Sequence, residues 1–375
     1  MISFKKQNYF FLITFTSIII LIYFLTGVYC FLDFKKKEKY LFKNINNLSF
    51  HIKYSNKLNH IRATNYNGDI KEFLYTKINA EGNDELLLFQ GDSWFEQIMQ
   101  PAYSASFNEL KKFSLNKNVD LINAGISSFS PSLMHVQYQI LKEDFNINPT
   151  ILVIHIDQTD IGDEFCRYKS RRVFDDNNNL IAIKRYNYEK SVFDLTKIYE
   201  YSKINLTGNG FTKFTKLTNF QIKYFLKRNF NRYKEIKIHG WQNRNYTKCR
   251  FREIKNYLIN NEMVPNNYFK ESLRTFLDYL NTDKNLKKVL ITSFPHRGHI
   301  ENSYKNNVSD LINDVIIDYN EKFKHLNFSN NEISKLNLDK IFVINDEASH
   351  INPQPHKDIF LKKIIGELSK EINPL

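Results

Sequence analysis

The chain has 375 residues and 42% hydrophobic content, enough to fill the core of one large domain or two small ones. Its three cysteines exclude a disulfide framework; Cys166 and Cys249 could pair, but two unpaired thiols is the preferred reading. The formal charge of +13 is local: residues 213–255 hold 13 lysines and arginines against Glu235 and Glu253, and the remainder is close to neutral.

From Gln7 to Leu32 there is no charged residue, and Phe, Leu, Ile, Val and Tyr dominate. A helix of this length spans the roughly 30 Å hydrocarbon core of a bilayer. It is too long for a signal-peptide core, and Val28-Tyr29-Cys30 matches neither a small-X-small cleavage site nor a lipobox. A single uncleaved transmembrane anchor is therefore expected over residues 1–34. Lysines flank it on both sides (Lys5 and Lys6; Lys35, Lys36, Lys37 and Lys39), so charge alone does not set its orientation. Residues 35–84 are polar with short strand-like pieces and read as a stalk and lead-in.

From residue 85 onward the pattern is regular. Strand-length apolar runs fall at Leu86–Gln90, Val119–Ala124, Ile151–Ile156, Val289–Phe294 and Ile341–Ile344. Helical spacing lies between them: Leu133, Val136, Gln137, Ile140 and Leu141 share one face, and Val308, Leu311, Ile312, Val315, Ile316, Tyr319 and Phe323 another. A last helix carries Ile359, Phe360, Ile364, Leu368 and Ile372. Alternating strands and helices predict an α/β domain over 85–375, with a parallel sheet covered on both faces. Residues 165–285 are too many for a simple crossover and read as a largely helical insertion. Ligands in such folds bind beyond the carboxyl ends of the strands. Gly91-Asp92-Ser93, Gly125, Asp160 and His350 all follow strand ends, so one crevice is expected to gather them.

The residue types suit acyl transfer. A serine on a strand-to-helix turn presents its hydroxyl to the crevice, and its own N–H lies at a helix N-terminus that favours an oxyanion. Ser93 is the candidate nucleophile and His350 the candidate base. Asp346 and Glu347, four and three residues before the histidine, can each orient the imidazole, and the spacing does not choose between them. Gly125 ends the second strand, where a bare backbone can approach a substrate closely and donate its N–H.

Gly91-Asp92-Ser93, the strand-end Gly125, the Asp157-Gln158-Thr159-Asp160 block and the C-terminal acid-X-X-His together resemble the SGNH/GDSL hydrolase superfamily. The resemblance covers roughly residues 85–375 outside the insertion. It implies a flavodoxin-like three-layer α/β/α fold and hydrolysis or transfer of acyl esters, often acetyl groups on carbohydrate. It also implies that Ser93 is the nucleophile, His350 the base, and the Ser93 and Gly125 N–H groups the oxyanion donors. The family's third block is Gly-X-Asn-Asp, so Thr159 falls where its oxyanion-donating Asn is expected, and either Thr159 or Gln158 replaces that donor or catalysis is weakened. Losing one costs about 10²–10³ in turnover. The acid three residues before His350 is Glu347 where the family has Asp. The longer stretches Asp157–Glu164 and Ser293–His296 resemble a membrane-anchored bacterial subgroup. That implies envelope-polysaccharide acylation chemistry on the outer side of the inner membrane.

Three other readings compete. His296 and His299, or His350 and His356, lack the companions of a zinc site, so neither a metal nor a cofactor is expected. The aromatic and basic stretch 213–255 has the composition of a single-strand nucleic-acid binder. A membrane anchor makes that partner improbable, and a face near lipid headgroups or an anionic glycan is preferred. The altered third block also admits a catalytically weak or inactive glycan-binding or assembly protein.

Overall fold

A computed structural model describes residues 2–43, 54, 57–58, 74–183, 209–223, 225–226, 230, 263–302, 307–346 and 349–372. The chain divides into two compact units, Met1–Lys53 with Tyr186–Trp241, and Tyr54–Arg185 with Gln242–Leu375. The first contains the Ile2–Lys43 helix and a helix over 210–223. Within it, Tyr9–Leu32 is long and apolar enough to cross a membrane.

The second unit is α/β. Its strands are β1 (Thr76–Asn79), β2 (Leu86–Gln90), β3 (Asp120–Asn123), β4 (Ile151–His155), β5 (Arg172–Phe174), β6 (Leu180–Ile183), β7 (Lys288–Ser293) and β8 (Phe323–Asn327). Six of them form one sheet in the order β1-β3-β2-β4-β7-β8, and β5 and β6 form a separate hairpin. β1 is antiparallel to β3, and the other five strands are parallel. Counted among themselves, those five run 2-1-3-4-5, the doubly wound order whose direction reverses between β2 and β4. Leu88 pairs with Ile122 on one side and Leu152 on the other, so β2 is central and its run is buried.

Side chains alternate across the sheet. Leu87, Phe89, Leu121, Val153 and Leu290 enter one cluster with Leu110 and Phe113 of the Ser104–Lys117 helix and with Phe360, Leu361, Ile364 and Leu368 near the C-terminus. Each such burial contributes roughly 1.5–3 kcal/mol before chain entropy is counted. Gln90 points the other way: its Nε2 donates to the Met134 carbonyl and to Gln137 Oε1, both at 2.7 Å, on the Pro131–Phe145 helix. Ser104–Lys117 and Pro131–Phe145 each stop on a left-handed asparagine, Asn118 and Asn146, from which the chain turns back toward β3 and β4.

Several expectations need correction. The last parallel strand is Phe323–Asn327, not Ile341–Ile344. It is an edge strand in which only Phe323 is buried, so it carries Lys324 and His325 and no apolar run. Its helix stops at Ile316, before Tyr319 and Phe323. Ile341 instead closes a short helix, and Phe342 makes a single antiparallel bridge to Ile351. β1, read as lead-in, is part of the sheet. Within 165–285, Arg172–Ile183 is a hairpin rather than helix, and Met263–Thr282 packs on Pro131–Phe145 as the crossover helix between β4 and β7. Between these, only 209–223, 225–226 and 230 are described, so Trp241, Tyr246 and Cys249 lie outside the described residues.

Candidate active site

The nucleophile turn is set by what surrounds β2. Gly91 lies so close to β4 that a Cβ there would meet the His155 carbonyl oxygen at 3.0 Å. Asp92 caps the Ser93–Glu96 turn by accepting from the Trp94 N–H at 3.0 Å. Trp94 and Phe95 are buried beneath it among His155, Phe294 and Phe360. The exposed side of the turn carries Ser93, which is half-buried.

His350 reaches Ser93 from a folded-back loop. Val343 N–H donates to the His350 carbonyl at 2.8 Å and Asn352 N–H to the Ile341 carbonyl at 2.7 Å, closing the loop at its base. Asn345 and Ser349 take left-handed conformations at φ 60° and 57°, which turn the chain tightly enough to bring Asp346 under His350. Asp346 Oδ2 accepts the His350 backbone N–H at 2.7 Å and Nδ1–H at 2.5 Å. With Nδ1 donating, Nε2 holds a lone pair, and Ser93 Oγ lies 2.5 Å from it. The nearest alternative acceptor for Ser93, Asp92 Oδ2, is at 3.4 Å. Burial lowers the His350 pKa, but the hydrogen bond and charge of Asp346, aided by Asp157 and Glu96, outweigh it and hold the pKa above its ordinary value. Of the two candidate acids, Asp346 is thus against the imidazole, and Glu347 lies outside the described residues.

Of the residues expected to bind an oxyanion, Gly125 and Thr159 are engaged elsewhere, as is Gln158. Gly125 is required by close approach, since a Cβ would fall 2.4 Å from Phe95 Cβ and 2.6 Å from Glu96 N. Its N–H donates to Asn123 Oδ1 at 3.0 Å, while Asn123 Nδ2 donates to the Phe95 carbonyl at 2.8 Å. Thr159 gives both its N–H and its hydroxyl to Asp157 Oδ1 at 2.6 Å. Gln158 is buried, and its Oε1 accepts the Val308 N–H at 2.9 Å.

Beneath the turn, at the strand-order reversal between β2 and β4, three acids that the sequence placed in two separate motifs come together. Asp92, Asp157 and Asp160 are buried with carboxylate oxygens within 4.8 Å of one another. Among the described residues, these are the oxygens placed to hold a hard cation. Burial, reinforced by the Asp157 charge, raises Asp92 and Asp160 well above the usual carboxylate range. Two histidines complete the support. Burial lowers His155 to about 3 and His356 to about 4, so both are neutral. His356 Nε2–H donates to the Trp94 carbonyl at 3.0 Å, and its Nδ1 accepts from Ser106 Oγ at 3.0 Å, tying the residue after Ser93 to the Ser104–Lys117 helix. His155 Nδ1 lies 2.9 Å from Thr292 Oγ1. Such roles leave no spacing signature; only an apolar strand ending in a histidine hints at one. His296 and His299 stack edge-on at 5.9 Å after β7. Cys166 is disulfide-bonded, correcting its reading as a thiol.

No family model matches this chain, and no curated protein does. Among solved structures it is similar to the acetyl xylan esterase AlAXEase, with 12% identity, a TM-score of 0.39, and coverage of 76% of this chain and 99% of that one. It is similar also to a catalytic mutant of Axe2, an acetylxylan esterase from Geobacillus stearothermophilus, with 12% identity, a TM-score of 0.40 and coverage of 76% and 95%. A third is the acetyl xylan esterase Est2A from Butyrivibrio proteoclasticus, with 9% identity, a TM-score of 0.34 and coverage of 78% and 65%.

Proposed function

We propose that this chain is a serine esterase or acyltransferase of the SGNH/GDSL type, acting on acyl esters, most simply O-acetyl groups, of carbohydrate or envelope polysaccharide. One observation carries the reading: Ser93 Oγ, His350 and Asp346 form a continuous chain of hydrogen bonds, both links 2.5 Å long. Groups 257 residues apart meet with the tautomer that activation of a hydroxyl requires. The 2-1-3-4-5 order of the parallel strands, with Ser93 at the point where it reverses, supports the flavodoxin-like three-layer fold that the sequence resemblance implies.

In this reading Ser93 Oγ attacks the acyl carbonyl carbon while His350 Nε2 takes its proton. Asp346 stabilises the imidazolium that forms. The C–O bond to the leaving alcohol breaks as Nε2 returns the proton to that oxygen, leaving an acyl ester on Ser93. Water or a sugar hydroxyl then attacks this ester, losing its proton to Nε2, and Ser93 is released. The same residues serve either acceptor. The Ser93 N–H is the first oxyanion donor, and Gly125 N–H joins it by exchanging its bond to Asn123 for one to the substrate.

Tyr9–Leu32 anchors the protein to the membrane, and the Cys166 disulfide favours the oxidising, extracytoplasmic side for the catalytic unit. A second reading, a weak or inactive glycan-binding protein, draws support from the engagement of Thr159 and Gly125 with their own neighbours. Hydrolysis of p-nitrophenyl acetate by the purified chain, with Ser93→Ala as control, separates the two. The esterase reading expects turnover that the variant abolishes. No turnover by a folded wild type, on this ester or on acetylated oligosaccharides, favours the binding role.

A further inference from the structure

We infer that the helix over 210–223 is a second membrane-embedded element, packed against the N-terminal span, and that it carries an aromatic and basic surface into the interface of an anionic bilayer. The inference rests on reading Tyr9–Leu32 as an anchor, and it adds a partner for that anchor and a lipid class for the basic segment.

The packing begins at a notch in the N-terminal helix. Along the span the large side chains face outward; Phe11, Ile20 and Leu25, for example, are each more than half exposed. Gly27 and Cys30 are buried, and Tyr23 and Thr26 are partly covered, a stripe at helical spacing. The covering residues come from 210–223. A Cβ on Gly27 would fall 2.0 Å from Phe214 Cζ and 2.4 Å from Thr218 Oγ1. Phe24 and Phe214 rings lie 5.8 Å apart, and Tyr23 Oη donates to Asn219 Oδ1 at 3.1 Å. Close approach at a small residue, with an interhelical hydrogen bond beside it, is how helices associate where lipid removes the hydrophobic drive.

The hydroxyls of both helices suit an apolar solvent. Thr14 and Thr16 of the span donate to their own helix at Phe10 and Leu12, and Thr215 and Thr218 donate likewise to Phe211 and Phe214. None of these donors depends on water. The outer side of the second element is amphipathic. Phe211, Phe225, Leu226 and Phe230 are exposed, at 78%, 58%, 61% and 68%, alongside the exposed cations Lys213 and Lys223. Large aromatics held in water would be unfavourable. Beside a bilayer they enter the acyl boundary while the cations reach anionic headgroups. Charge complementarity, and continuity with a span that itself requires lipid, name the occupant.

The test uses the full chain reconstituted in vesicles of phosphatidylglycerol with brominated acyl chains, carrying Trp241→Phe so that Trp94 is the one remaining native tryptophan. Phe225→Trp or Phe230→Trp should add emission that the bromines quench about twofold or more, and less in vesicles of brominated phosphatidylcholine. Gly27→Leu should fill the notch and relieve that quenching while the protein stays resistant to carbonate extraction. Added emission that is insensitive to bromine and open to aqueous acrylamide, in a chain that resists extraction, overturns the second element. Equal quenching in both lipids overturns the anionic preference. Release of the whole chain by carbonate instead overturns the anchor reading beneath it.

Discussion

Replacing Asp346 with Asn isolates the step on which the proposed chemistry turns. Asp346 Oδ2 accepts two N–H groups of His350, from the backbone at 2.7 Å and from Nδ1 at 2.5 Å. An Asn that keeps its oxygen in that place preserves the loop and loses only the charge. Charge centres about 4 Å apart at an effective dielectric near 20 interact by about 4 kcal/mol, or about 10³ in rate if the term is felt only when the imidazolium forms. An Asn that turns its NH₂ toward Nδ1 instead forces the proton onto Nε2, and the base is lost, so the expected fall in kcat is about 10³–10⁴. The pH profile adds an independent reading. Asp346 helps raise the His350 pKa above its ordinary value, and the neutral base is the active form. The acid limb of kcat/KM should therefore lie above about pH 6.5 in the wild type and move to lower pH in Asp346→Asn. Hydrolysis of p-nitrophenyl acetate across pH measures both. A variant within tenfold of wild type with an unmoved acid limb refutes the role given to Asp346. Asp346→Asn/Glu347→Gln then shows whether Glu347 supplies the acid.

Gly125→Ala places a methyl against the Phe95 and Glu96 backbone, and the nucleophile turn must shift to admit it. Destabilisation of about 1–3 kcal/mol in urea unfolding, with a larger proportional loss of activity, is expected. Asp92, raised well above the carboxylate range by burial and by Asp157, keeps its proton in the folded chain to higher pH than in the unfolded one. The folded state then binds more protons above about pH 4, so Asp92 makes stability fall as pH rises toward its folded pKa. Asp92→Asn retains an acceptor for the Trp94 N–H and should flatten that fall above about pH 4, whereas an unchanged slope counts against a raised Asp92. Cys166→Ser, or reduction of the wild type, should lower unfolding stability by about 2–4 kcal/mol.

The central strands and the approach of His350 to Ser93 were legible in the sequence for physical reasons. β2 and β4 are buried on both faces, so their runs are continuously apolar, and a turn serine after the first of them has one direction in which to point. β8 was not legible, because this edge strand buries only Phe323 and its adjacent Lys324 and His325, on opposite faces, break the run. The choice of Asp346 depended on left-handed turns at Asn345 and Ser349, which spacing does not reveal. The packing of His356 on the Trp94 carbonyl and the clustering of Asp92, Asp157 and Asp160 join segments distant in sequence, and no local pattern records them. The Gly125 donor was read from its strand-end position and the Thr159 donor from resemblance, and both are silent about the partners that Asn123 and Asp157 provide.

The central claim is that the Ser93 hydroxyl is made nucleophilic by His350. Exposure of the membrane-reconstituted protein to an alkyl fluorophosphonate, followed by peptide mass analysis, tests it most directly. The account predicts one covalent adduct on Ser93 that His350→Ala loses and that Glu109→Gln, in the Ser104–Lys117 helix, retains. An unlabelled Ser93 in a folded wild type, or labelling that persists in His350→Ala, contradicts it.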